Sequence, residues 1–360
     1  MPGFSLDAAA AGDTSGGLFD DSIVSVIDAT SRVGALDINA AFTTDVVFVV
    51  DTQLTGSDVR VFVEAYGDTD ITDVFVGHAS MMAATGNESR TDVGFQGDYF
   101  EFLMKSALTT INTVQVTCQV SHGFAIPRVS KQGVIAGRSE DGSASSDTDR
   151  YLYNGECFAG IHSTAGNLNR RASFVEALSN GFTVNVLETA GANLVAYLVV
   201  KGGVWDAATI TFQTDTTTQF SITGWPGTPR GIWGFSHSIV QSTQDTVQTN
   251  HVSMTGMASS ATVRQTMAHH DDDGVADMVC NTLVDYDEFL AQIGGSSTMV
   301  LAADIVSFNS DGATFIMDVA APSAGWIAYV VGVMDNLAGQ PYRKRVGGVP
   351  HAAHQPMGVW

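Results

Sequence analysis

The side chains best suited to chemistry in this 360-residue chain fall in a few short stretches. His269-His-Asp-Asp-Asp-Gly274 has residue types that ligate metals. A calcium-binding loop between two helices needs acids at alternating positions, glycine at the sixth and glutamate at the twelfth. Here the acids are contiguous and the glycine falls elsewhere, so the stretch reads as a solvated loop. Gly234-Phe-Ser-His-Ser238 resembles the start of a nucleophile elbow but lacks the closing glycine, and its surroundings read as strands. Glu140, Asp141, Asp147 and Asp149 share one polar stretch. Paired carboxylates can hydrolyse glycosidic bonds, although loop acids in so acidic a chain need no such role. Tyr151, Tyr153, Trp225 and Trp233 lie near expected loops or strand ends, where they could stack on sugar rings; core packing or subunit contact is the other use of such residues. Cys118, Cys157 and Cys280 are far apart and odd in number, so neither a disulfide framework nor a zinc motif follows and buried free thiols are expected. These patterns assign no catalytic residue, cofactor or metal ligand.

The elements that would position these residues read as strands. Two stretches repeat one plan. Ala172-Ser-Phe-Val-Glu-Ala-Leu-Ser-Asn-Gly181-Phe-Thr-Val-Asn-Val186 and Ala303-Asp-Ile-Val-Ser-Phe-Asn-Ser-Asp-Gly312-Ala-Thr-Phe-Ile-Met317 each read strand, Asn-Gly or Asp-Gly turn, strand. That dipeptide between apolar runs is a strong hairpin signal. A third apolar run follows each, Leu194–Val200 and Trp326–Val331, and both contain Ala-Tyr. The glycines (181 and 312) and the tyrosines (197 and 329) recur at offsets that differ by one residue, so the spacing predicts a duplicated β-domain with Gly181 over Gly312 and Tyr197 over Tyr329.

Composition narrows the partners. Hydrophobic residues make up 44% and charged residues 15%, a globular composition. The net charge of −22 disfavours nucleic acid and anionic membrane surfaces, which need clustered cations. Acids are 30 Asp to 8 Glu, and bases 4 Lys to 12 Arg. This usage suits a protein kept soluble in high salt; Asp populating β-turns accounts for it equally. No run of about 18 apolar residues predicts a spanning helix. The opening Met1-Pro-Gly-Phe-Ser-Leu-Asp7 lacks the pattern of a signal peptide, so assembly in the cytoplasm is expected.

In order, the chain reads as an N-terminal arm (1–21), a β-rich region (22–95), a first β-sandwich repeat (96–203), a second (208–335) and a C-terminal tail (336–360). Asp45–Asp51 and Val59–Tyr66 read as strands, Ala79–Gly86 as a short helix or loop, and Val284–Ile293 as helix or strand. The second repeat is expected to open at Thr209–Phe212, with Gly231–Ser236 matching the Gly123-Phe-Ala125 step of the first. In the tail, Arg343, Lys344 and Arg345 are the one compact basic cluster, and Trp360 ends the chain. The expectation is that these four residues dock on a neighbouring subunit, the cations on its acidic surface and the tryptophan as an apolar anchor.

The Gly-Phe-Thr-hydrophobic-Asn strand at 181–185, the short turn and tyrosine-containing strand after it, and the steps at Gly123-Phe-Ala125 and Gly234-Phe-Ser236 resemble a repeat in structural proteins of tailed phages and related archaeal tailed viruses. The resemblance covers roughly 96–335, and the second copy departs from it at Ala313 and Ile316. It implies an all-β, jelly-roll-like tandem sandwich in a virion: a capsid-associated turret or decoration protein, or a tail or fibre component. Its implied partners are copies of itself and other virion proteins. A glycan-binding adhesion module for a host surface is the rival expectation.

Overall fold

A computed structural model describes strand segments at 15–18, 24–28, 31–38 and 48–52, and then residues 70–334 apart from 107, 141–144 and 276–279. The chain is all-β; the only helical segments among the described residues are two three-residue 3-10 turns, Pro127–Val129 and Gln241–Thr243. The strands are β1 (Ser15–Leu18), β2 (Val24–Asp28), β3 (Ser31–Ile38), β4 (Phe48–Thr52), β5 (Ile71–Met81), β6 (Gly86–Arg90), β7 (Tyr99–Lys105), β8 (Thr113–Val116) and β9 (Cys118–Ile126). They continue as β10 (Lys131–Ser139), β11 (Thr148–Tyr153), β12 (Phe158–Ile161), β13 (Leu168–Leu178), β14 (Gly181–Glu188), β15 (Asn193–Gly202), β16 (Val204–Thr211), β17 (Phe220–Ile222) and β18 (Pro229–Val240). The last are β19 (Gln248–Thr249), β20 (His251–Ser260), β21 (Val263–Asp271), β22 (Cys280–Asp285), β23 (Leu290–Ile293), β24 (Met299–Asn309), β25 (Gly312–Val319) and β26 (Trp326–Met334).

Two sandwich units share one strand order. In the first, the long sheet runs β11-β10-β9-β7-β15-β5 and the short sheet β12-β13-β14-β6. In the second, the long sheet runs β22-β21-β20-β18-β26-β16 and the short sheet β23-β24-β25-β17. The agreement extends to irregularities. Register shifts fall at Arg171/Ala172 and Phe174/Glu176 in one hairpin, and at Ala302/Ala303 and Ile305/Ser307 in the other. The extra residues of the second pair of shifts, Val175 and Val306, are both exposed. Outside this plan, β1 pairs with β8, β2-β3-β4 form their own sheet, and β19 lengthens the first unit's long sheet at β11.

Several expected boundaries change. The strands β5 and β6 lie within 22–95 yet hydrogen-bond to β15 and β14, so the pairing of the first unit crosses the division placed at 95/96. The stretch Ala79–Gly86 is the end of β5, a turn and the start of β6, with no helix; Val284–Ile293 holds the end of β22 and all of β23. Gly234-Phe-Ser236 lies on β18, whose counterpart is β7, so it does not match Gly123-Phe-Ala125 on β9. The expected strand at 59–66 and the tail residues Arg343, Lys344, Arg345 and Trp360 lie outside the described residues.

Apolar side chains alternate at period two and so fill three layers. In β7, Phe100, Phe102 and Met104 enter the first sandwich with Phe158, Phe182 and Tyr197. The second sandwich holds Phe289, Leu290, Leu301, Phe315 and Val330. The third layer joins the two long sheets: Tyr99, Phe124 and Leu152 of the first unit pack with Trp205, Trp233, Phe235 and Tyr329 of the second. Tyr99 stacks on Trp205 with centroids 4.4 Å apart, and Trp233 Nε1 donates to the Tyr99 hydroxyl at 3.1 Å.

Candidate functional site

The polar groups with most chemical capacity lie beside this aromatic layer. The cross-strand partner of His251 on β20 is Asp271 on β21, and that of Asp271 is Cys280 on β22. His269 is two residues before Asp271, and a strand returns to the same face every second residue. Three adjacent strands thus present His251, His269, Asp271 and Cys280 as one group. His269 Nε2 lies 2.9 Å from Asp271 Oδ2 and His251 Nδ1 3.3 Å from the same oxygen. Cys280 Sγ is 3.8 Å from His269 Nε2. His251, His269 and Asp271 are buried, and Cys280 is partly so.

The first unit closes the group from above. Ser139, at the end of β10, donates its hydroxyl to Asp271 Oδ2. On β11, Thr148 Oγ1 accepts from the His251 amide at 3.2 Å and donates to the Asp271 carbonyl at 3.3 Å. Gly137 makes room for the imidazole, since a Cβ there would lie 2.0 Å from His251 Nε2. On the other side of His251 is His237, their ring centroids 5.6 Å apart. A register shift between Phe235 and Ile239, with Ser238 at φ 53°, carries His237 into place.

Electrostatics follow from burial. Desolvation pushes the His237 and His251 imidazoles below their ordinary range, in His251 against the pull of Asp271. Burial alone would raise Asp271; the attraction of His269 and hydrogen bonds from both histidines outweigh it and hold the carboxyl well below its ordinary range. Burial raises the Cys280 thiol, and the neighbouring Asp271 carboxylate raises it further. The group does not have the geometry of a nucleophilic relay. Ser139 and His251 meet the same carboxylate oxygen, so the imidazole does not stand between hydroxyl and acid as general-base activation requires.

The structure also relocates the other candidates. His269, His270 and Asp271 are buried on β21, which corrects the expectation of a solvated loop; only the rest of the stretch, out to the exposed Gly274, leaves the strand. Asp149, Asp147 and Glu140 surround the fully buried Arg138, with Asp149 Oδ2 2.8 Å from Nε. They are its counter-ions, and Asp141 lies outside the described residues. Ser236 donates to the Ile327 carbonyl and Ser238 to Gln292 Oε1, so both hydroxyls of the elbow-like stretch are used in packing strands. Tyr151, Trp225 and Trp233 are buried, which leaves Tyr153 alone of the four to meet a sugar. Cys118 and Cys157 are buried and form no disulfide, as expected; Cys280 is less covered and joins the histidine group. The sequence gives no local signal for His251, and Cys280, expected only as a buried free thiol, likewise stands alone in its own stretch. The pairing of β20 with β21, and of β21 with β22, brings them together.

No family model, curated protein or solved structure matches the chain.

Proposed function

We propose that this protein is a non-enzymatic structural subunit of a tailed virus particle, a capsid-associated turret or decoration protein or a tail or fibre component. It assembles as a homo-oligomer through its β-units and tails. The observation that carries the reading is the joining of two sandwich units of one strand order through a shared aromatic layer. Besides the aromatic layer, β19 from the second half of the chain pairs with β11 of the first unit. Lys131 meets Asp206 at 2.5 Å, and Arg171 holds both Glu156 and Asp245. Units joined in this way transmit load and offer outer faces for neighbours. Those faces carry exposed Val74 and Val76 on β5, and Val175, Leu187 and Val306 on the hairpins. Scattered surface aliphatics are ordinary, but Val175 and Val306 stand at the same register shift in the two units, as a shared contact would require.

Sedimentation velocity on the full chain and on a chain lacking 346–360 tests the reading. The full chain should sediment as a defined oligomer, and the truncated chain should keep its β circular dichroism while sedimenting more slowly at equal salt. A full chain that stays monomeric at every concentration overturns the homo-oligomer. Equal assembly of both chains removes the anchoring role given to Trp360; Arg343, Lys344 and Arg345 remain in the shorter chain.

A further inference from the structure

We propose that His251, His269, Asp271 and Cys280 bind one divalent metal ion of the zinc class, as a structural site that ties the edge strand β22 to β20 and β21. Zinc takes two imidazole nitrogens, a carboxylate oxygen and a thiolate at about 2.0–2.3 Å, which places tetrahedral ligand atoms roughly 3.3–3.6 Å from one another. Two of the separations here, 3.3 Å and 3.8 Å, are close to that range, and the third, 2.9 Å, is somewhat shorter. The ligand atoms of His251, His269 and Asp271 all lie within 4.8 Å of one another, and Cys280 stands at the edge of that trio, reaching it through His269. Mixed nitrogen, oxygen and sulfur donors favour a borderline-soft ion over calcium or magnesium.

Three further observations point the same way. Asp271 Oδ1 is buried with no hydrogen-bond partner among the described residues, although its carboxylate is only 3% exposed. A buried acceptor in that position is costly unless something occupies it, and a metal held through either carboxylate oxygen supplies the missing charge. The charge balance also fits. A dication, a thiolate, a carboxylate and two neutral imidazoles sum to zero, the arrangement least costly to bury. Binding displaces the thiol proton of Cys280 to solvent, as zinc sites ordinarily require. Finally, the surroundings hold the ligands in place: Ser139 donates to Asp271, and Gly137 admits the His251 ring. Such supporting contacts orient ligands and tune affinity. With Cys280 drawn in as the fourth ligand, no coordination position is left open, so the site is structural. Because Ser139 belongs to the first unit, the metal also reinforces the junction between units.

The full chain, stripped with a chelator and dialysed, is titrated with Zn²⁺ and separately with Co²⁺. About one Zn²⁺ per chain should bind, and the melting temperature should rise on its addition. Co²⁺ should give the visible bands of tetrahedral coordination and a thiolate-to-cobalt charge-transfer band. Cys280→Ser should abolish the charge-transfer band. Ser139→Ala, which leaves the ligands intact, should weaken binding by about 10–100-fold. Failure of the wild-type chain to bind either ion, or an unchanged cobalt spectrum in Cys280→Ser, overturns the assignment; the wild-type measurement stands even if a variant does not fold.

Discussion

Glu288 shows how a single carboxylate can work against the fold that holds it. It sits just before β23 with a carboxylate oxygen, Oε2, buried and unbonded. Burial, then repulsion from Asp318, Asp304 and Asp285, pushes its carboxyl up to about 7, and only Arg264 opposes the shift. A group raised in the folded state favours folding below its unfolded value, and that contribution is lost as pH rises through the folded value. Glu288 therefore costs stability above about pH 7. Glu288→Gln should raise the melting temperature at pH 8 by a few degrees, on the order of 1 kcal/mol after allowance for solvent screening. The gain should shrink as the pH falls towards 5. Thermal melts of the two proteins across that range check the sign; a gain that grows on acidification contradicts it.

At the scale of elements, glycines set how closely the sheets approach. Gly123 on β9 and Gly256 on β20 occupy the same place in the two units. A Cβ on Gly123 would lie 2.1 Å from the carbonyl oxygen of Cys157, and one on Gly256 1.5 Å from that of Phe289, in each case the residue just before the short sheet's first strand. Gly181 and Gly312 likewise cover the carbonyls of Arg90 and Ile222. These contacts also fix the register. Gly123 pairs with Phe102 and Phe102 with Tyr197, whereas Gly256 pairs with Gly234 and Gly234 with Val330. The counterpart of Tyr197 is therefore Val330, and the expected match with Tyr329 is off by one residue. One residue reverses the face of a strand: Tyr197 fills the first sandwich while Tyr329 joins the layer between units. Backbone carbonyls cannot move aside as side chains do, so Gly256→Ala should destabilise the protein by about 3 kcal/mol or more. Gly231→Ala, whose Cβ would meet nothing closer than 3.7 Å, should be nearly neutral. Denaturant titration of both variants measures the difference.

For the molecule as a whole, the governing quantity is a net charge of −22 on one fused block. Like charges on a compact body repel, and the repulsion weakens as the screening length falls from about 10 Å at 0.1 M salt to about 3 Å at 1 M. The melting temperature should therefore rise between 0.1 M and 1 M NaCl, and a flat or falling curve contradicts the argument. The shared aromatic layer makes a second demand. With Trp205, Trp233 and Tyr99 buried together, neither unit can unfold without exposing the other's face, so calorimetry should show the two units melting in a single transition.

The sequence by itself determined the all-β class, the two hairpins and the glycines at 181 and 312, because strand alternation and turn chemistry are local. The role of Gly181 came out differently: neither it nor its partner Asn180 is at positive φ, whereas Gly312 is at φ 151°, and both glycines are needed for close approach to a neighbouring carbonyl. Whether Tyr197 and Tyr329 face the same way depended on pairing register, which spacing along the chain does not encode to one residue. The roles of the aromatics and acids were also decided in three dimensions. Trp233 became a joint between units and Asp149 a counter-ion to Arg138 because another strand arrived to cover them. Most of all, the histidine, aspartate and cysteine group exists only in the folded sheet. His251 and Cys280 are 29 residues apart in sequence, and two antiparallel pairings with β21 place both within reach of Asp271.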